Sequence, residues 1–163
     1  MMSTPLVSIL IPVYNCAQYI EEAIKSVLEQ NYANLDILIC DDCSTDDSLM
    51  HIKRLAGTDA RIRVFTNEKN QGKVLTLSRL FKEAKGKYIA RMDADDISYP
   101  ERLMKQKKFL DKYQEYSWVG CNIDVFDQNG VWGERKMPEF PIEQDYLRSS
   151  PYAHPTVMYR ASI

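Results

Sequence analysis

Three aspartates crowd into four residues at Asp93-Ala94-Asp95-Asp96, directly after an apolar, strand-like run. Carboxylates this close repel one another unless a cation or protonation relieves them. A hard divalent ion is the economical answer. Asp95, and more weakly Asp93, offer oxygens to Mg²⁺ or Mn²⁺ and leave coordination positions for phosphate oxygens and water. The run reads equally as a solvated acidic loop whose carboxylates cap a helix begun near Pro100. A second acidic pair, Asp41-Asp42, has two readings as well. A carboxylate there accepts from a base edge, such as the imide N–H of uracil, or from a ribose hydroxyl. Alternatively, Asp42 N-caps a helix in Asp-x-Ser-x-x-Asp. Tyr14 stacks on a base or simply packs at a strand end. Gly72-Lys73 is a weak phosphate signal, since a glycine before a helix is common.

The elements that must carry these residues are legible in the apolar pattern. Residues 6–12 (LVSILIP) form a short, nearly continuous apolar run, as in a strand buried on both faces of a parallel sheet. Ile20, Ala23, Ile24, Val27 and Leu28 then recur at helical spacing, and Asn15 with Gln18 resembles a capping box. The alternation repeats: strands at 35–40, 62–66 and 88–92, and helical faces at Leu49, Ile52, Leu55 and at Leu77, Leu80, Phe81. Ser44 or Asp46 is placed to cap the second helix, Gly86 to end the third and Pro100 to sit in the first turn of a fourth through Leu110.

Strands separated by helices imply right-handed crossovers and an α/β, doubly wound, mostly parallel sheet. From Ser117 the texture changes to two extended runs joined at Gln128-Asn129-Gly130, the signature of an antiparallel hairpin. Trp118 and Trp132 fall on these runs and read as core or partner-packing residues. A short helix over 142–148 and a final strand, PTVMY, follow. In an open parallel sheet, ligands bind outside the carboxyl ends of the strands, so Tyr14, Asp42, Lys73 and Asp95 are expected on one edge.

Composition narrows the classes. The 163 residues carry a net charge of -2 with the two signs interspersed, so no basic stripe is present for a nucleic-acid backbone. The four cysteines include one C-x-x-C pair, Cys40 and Cys43, without a second pair or histidines at metal-ligand spacing. They are read as reduced thiols of a cytoplasmic protein. No run approaches the length of a membrane span, and peripheral association at the inner face of a membrane stays open.

Taken in order, SILIPVYN, LDILICDDCSTDD, NQGK, KGKYIARMDADDISYPERL and HPTVMYR resemble the family 2 glycosyltransferases of the GT-A fold along nearly the whole chain. The resemblance implies a nucleotide-sugar donor, probed best as a UDP-sugar, a Mn²⁺ or Mg²⁺ ion at a DXD motif, and inverting transfer to a glycan or lipid-linked hydroxyl acceptor. It implies that Pro12, Val13 and Tyr14 line the base pocket and that Asp42 meets the uracil. Asp93 would approach ribose or metal, Ala94 would allow close backbone approach, and Asp95 would bind the metal, with Asp41, Gly72 and Lys73 also on the donor. Lys73 or Arg79 would replace an Arg-Asn pair usual in the family's third helix, where this chain has Leu77-Ser78. The resemblance places the general base beyond Ile163, so the chain is expected to be the donor-binding portion of a longer protein. Residues 1–116 would form the nucleotide-binding part, and 117–163 the hairpin and the start of the acceptor side. The oligomeric state is left open.

Three other readings compete with this one. A sugar-phosphate nucleotidylyltransferase needs a glycine-rich basic loop after the first strand, where this chain has VYNCAQ. A phospho-receiver module needs its acidic pair after the first strand, whereas the clusters here follow the second and fourth. A catalytically dead nucleotide-sugar-binding module shares every motif.

Overall fold

The computed structural model describes residues 4–148 and 150–162. The chain runs β1 (Val7–Val13), α1 (Ile20–Leu28), β2 (Leu35–Asp41), α2 (Ser48–Ala56), β3 (Ile62–Thr66), α3 (Lys73–Glu83), β4 (Tyr88–Arg91) and α4 (Arg102–Lys112). Then follow β5 (Trp118–Val119), β6 (Ile123–Asp127), β7 (Gly130–Arg135), α5 (Glu143–Arg148), a 3-10 turn at His154–Thr156 and β8 (Met158–Arg160). The main sheet has the order β3-β2-β1-β4-β8-β5. Its first four strands are parallel, and β8 is antiparallel to both β4 and β5.

The continuous apolar runs are continuous because both sheet faces are covered. Val7, Ile9, Ile11 and Val13 of β1 face the larger core, with Ile20, Ile24 and Val27 of α1, Ile52 of α2 and Leu103 and Leu110 of α4. Leu10 faces the other side, with Leu38, Cys40, Ile89 and Leu80 of α3. Thus the helix after β1 and the helix leading into β4 lie on opposite faces. Strand order reverses between β1 and β4, which makes their junction the switch point where an open α/β sheet forms a crevice. Pairing of β1 with β4 stops at Leu10 and Arg91, while β1 continues beside β2 to Val13. Pro12 has no backbone N–H to donate, and it sits in this one-sided stretch.

Several local expectations are corrected. Asn15 does not cap α1: the N-cap is Tyr19, without a side-chain cap bond, and Asn15 Oδ1 instead accepts from the backbone N–H of Thr45. The amides before α1 are satisfied across the fold, Cys16 N–H by Ser48 Oγ and Ala17 N–H by Asp46 Oδ2. Ser44 does not cap α2 either. Its N-cap is Asp47, and Asp46 accepts from the Ser48 N–H at 3.0 Å. Gly86 lies beyond the end of α3, whose C-cap is Ala84. A Cβ on Gly86 would stand 2.5 Å from Ser8 N and 2.6 Å from Tyr88 O, so the glycine is needed for close approach of β1. Pro100 precedes the N-cap Glu101 of α4, and its carbonyl accepts from Asn31 N–H.

The hairpin is real but shorter than expected. Trp118 leaves it to pair with Tyr159 in the main sheet, and β6 and β7 alone form a separate two-stranded sheet with a bulge at Val125/Phe126. Trp118 packs on Tyr152 at 5.1 Å, whereas Trp132 is 67% exposed and belongs to no core. Pro155 and Thr156 sit in the 3-10 turn, so the last strand begins at Met158. All four cysteines are free thiols, and burial pushes the Cys40 thiol up to about 11.

Candidate functional site

At the β1/β4 junction lies a cavity of about 230 Å³. Pro12, Val13, Tyr14 and Cys16 leave β1, Asp42 leaves β2, Lys73 and Thr76 open α3, and Asp93, Ala94 and Asp95 leave β4. Four loops separated by as many as eighty residues in the sequence meet here because parallel strands present all their carboxyl ends on one edge.

Asp42 is buried, and it is not a helix cap. Its Oδ1 accepts from Asn67 Nδ2 at 2.7 Å and from Gln71 N–H at 2.9 Å, and its Oδ2 accepts from Gly72 N–H at 2.8 Å. Burial raises the carboxyl pKa, but these donors outweigh it and hold the group below the usual carboxylate range. Asp42 therefore fixes the 67–72 loop against the cavity wall. It keeps lone-pair capacity on Oδ2 for a further donor.

Asp41 turns the other way. It is buried, accepts from Ser44 N–H at 3.1 Å, leaves its Oδ1 without a partner and does not line the cavity. Gly72 does not line the cavity either: it is the N-cap of α3 with φ +84, a conformation glycine adopts without strain, and its N–H donates to Asp42 behind the lining. Tyr14 is 46% exposed and lines the cavity.

The acidic loop divides into three roles. Asp93 Oδ2 accepts from Lys73 Nζ at 2.5 Å, while its Oδ1 is buried without a hydrogen-bond partner. Asp95 is exposed beside it. Asp96 is half-buried, and burial first, then the charges of Asp93 and Asp95, push its carboxyl up to about 6. Among the described residues no three His, Cys, Asp or Glu side chains gather to hold a metal by themselves. An orphaned carboxylate oxygen next to an exposed second carboxylate nevertheless fits a cation whose other ligands come from a bound diphosphate. Arg102 braces the loop from below, donating to the carbonyls of Arg91 and Pro155.

Of the two cations considered for the donor, only Lys73 lines the cavity. Arg79 donates to the Thr66 carbonyl and Asn67 Oδ1, both at 2.6 Å, so it supports the loop. Sequence reasoning missed Thr76, Cys16 and Asn67. Thr76 was findable, because Lys73, Thr76 and Leu80 share one helical face. Asn67 gave no signal of its own, since its role as Asp42's partner arises from loop packing.

Glycosyl transferase family 2 matches this sequence over residues 8–161. The chain belongs to that family. EpsE of Bacillus subtilis (strain 168), whose name gives glycosyl transfer without a donor, is 40% identical over 163 residues, covering 99% of this chain and 59% of its own length. The UDP-Glc:alpha-D-GlcNAc-diphosphoundecaprenol beta-1,3-glucosyltransferase WfgD of Escherichia coli is 36% identical over 138 residues, covering 85% of this chain and 53% of its own. Among solved structures, the mannosyltransferase PcManGT from Pyrobaculum calidifontis, in complex with GDP-Man and Mn²⁺, superposes with a TM-score of 0.73 at 20% identity over 98% of this chain and 45% of that one. That likeness shows the shared GT-A fold. The family 2 chain described here thus spans a little over half the length of these two relatives. No helix among its described residues is long and apolar enough to cross a membrane.

Proposed function

We propose that this chain carries the donor site of an inverting glycosyltransferase that moves a hexose or N-acetylhexosamine from a UDP-sugar to a hydroxyl of a glycan or lipid-linked acceptor. The observation that carries the reading is the meeting of Tyr14, Asp42, Lys73, Asp93 and Asp95 around one crevice at the sheet's switch point. WfgD, named for UDP-glucose, favours uridine as the base.

In this reading the uracil stacks on Tyr14 over Pro12 and Val13, and its imide N–H donates to Asp42. Asp42 suits an acceptor's task because its low pKa keeps it ionised. Asp93 and Asp95 would hold Mn²⁺ or Mg²⁺, which supplies Lewis-acid stabilisation of the charge that develops on the leaving diphosphate. Lys73, within reach of the same place, adds a second positive charge beside the phosphates. Ala94, buried between the two aspartates, leaves room for the donor against the backbone. Inversion requires the acceptor hydroxyl to approach C1 from the side opposite the diphosphate. The general base is not assigned within residues 1–163. Residues 1–116 make up this donor half, and 117–163 lie toward the acceptor. The soluble-side placement we favour is the cytoplasm, with contact at a membrane face where the acceptor is lipid-linked.

Titrating UDP into the chain tests the reading. Affinity with Mn²⁺ is expected to exceed, by at least about tenfold, that found with chelator or after Asp95→Ala, a difference of about 1.4 kcal/mol or more. Equal affinity in all three conditions removes the metal-assisted donor site.

A further inference from the structure

A second and larger depression, about 910 Å³, shares Asp95 with the Lys73 cavity and is lined by none of that cavity's other residues. Its walls are the start of α1, the acidic loop and the β6–β7 hairpin. The volume lies in the range of pockets that enclose a ligand of several rings. Its lining has two features that point to one kind of ligand.

The first is charge. Glu22, Asp95, Asp96, Asp124 and Asp127 all line it, and no lysine, arginine or histidine does. With Asp95 committed to the metal, Glu22, Asp96, Asp124 and Asp127 remain; ionised carboxylates only accept hydrogen bonds, so these suit hydroxyl and amide donors and repel phosphate or uronate groups. Gln18 and Gln128 add groups that both donate and accept. The second feature is aromatic. Tyr19, from the wall of α1, is 48% exposed, and Phe126, from the hairpin, is 46% exposed. Rings with one free face in a polar groove offer apolar platforms to the C–H faces of a sugar. One wall residue is already fixed: Tyr99 donates to Asp124 Oδ2 at 2.6 Å and orients that carboxylate.

We propose that this groove receives the acceptor, and that it selects an uncharged, hydroxyl-rich oligosaccharide end over one bearing uronate or phosphate on its terminal sugars. The assignment rests on the donor reading above, because the groove adjoins, through the shared Asp95, the cavity in which that reading places the diphosphate. It also places any charged or lipid part of the acceptor outside the groove, away from the reacting end.

The test uses isotope-labelled chain saturated with UDP and Mn²⁺, titrated with neutral tetrasaccharides of glucose, galactose and N-acetylglucosamine, and with a hyaluronan tetrasaccharide of equal length. At least one neutral ligand is expected to shift the amide signals of Tyr19, Glu22 and Val125 to Gln128, and to bind about tenfold or more tightly than the uronate-bearing one. Phe126→Ala is expected to weaken the neutral ligand about fivefold with UDP affinity unchanged. Glu22→Lys is expected to narrow the discrimination, as is higher salt through shorter screening. Equal binding of neutral and anionic ligands, or the absence of groove shifts with every neutral ligand, overturns the acceptor assignment while the donor reading stands on its own UDP titration. Loss of Mn²⁺-dependent UDP binding in the unmodified chain overturns both.

Discussion

The strands that open onto the switch-point cavity and the hairpin that walls the second groove are stabilised on different terms. All seven residues of β2 and six of the seven of β1 are buried, and both strands carry helices on both faces. In β7 five of the six residues are exposed, and β6 alternates between half-buried and exposed. The hairpin touches the rest through a few contacts such as Tyr99 with Asp124 and Arg135 Nη2 with the Ser150 carbonyl. On the functions proposed above, the contrast teaches a division of labour: phosphate and base binding needs groups held closely by a rigid platform, whereas a wall that selects a partner can vary on a lightly anchored element.

Four substitutions would break or sharpen this contrast. Ile39→Ala, in the centre of β2, is expected to destabilise the fold by about 2–5 kcal/mol in denaturant unfolding, because it leaves a cavity among groups that cannot collapse. A cost as small as that of a surface change would show that the platform is not the stable part. Gly86→Ala comes next, at about 1–3 kcal/mol, since the added methyl meets backbone atoms of β1 and of Tyr88 that cannot swing aside. Retention of full stability would mean that the strands can separate freely at this point.

Asp96→Asn is smaller and of opposite sign. The Asp96 carboxyl is pushed up to about 6 in the fold, above its ordinary value, so its contribution is complete at acid pH and is lost as pH rises through 6. Without divalent metal, the variant is expected to gain about 1 kcal/mol over the native chain at pH 8 after allowance for solvent screening, and nothing at pH 3.5. A gain at acid pH instead would contradict the repulsion assigned to the acidic loop. Trp132→Ala on β7 is expected to change stability by less than about 0.5 kcal/mol in thermal melts, because the ring is exposed and packs on no core. A loss approaching that of Ile39→Ala would show that the hairpin face is covered in solution.

Much of the platform was visible in the pattern of residue types. The 62–66 strand matches β3 residue for residue; β1 is shifted by one residue at both ends, and β2 and β4 differ by one residue at the C-terminal end alone. Helical faces such as Ile20, Ile24 and Val27 are buried as their spacing requires. These features are local: a run of apolar residues must be covered, and its period states how. The capping box at Asn15, the role of Gly86 and the strand at Trp118 were misread for a common reason. Each depends on a partner distant in sequence, Thr45, Ser8 and Tyr159 respectively.

The site divides along the same line. Sequence alone determined that acidic, aromatic and basic residues would lie at the carboxyl ends of parallel strands, because alternating strands and helices leave no other arrangement for the loops. Only the tertiary structure decided which neighbour serves the cavity. Asp41 and Asp42 are chemically identical and adjacent, yet side chains at a strand end alternate between faces, so one closes the Ser44 turn under α1 and the other receives the 67–72 loop. The same geometry left Asp93 with one oxygen on Lys73 and one without a partner, and set the hairpin across Asp95 to make a groove that no spacing in the sequence announced.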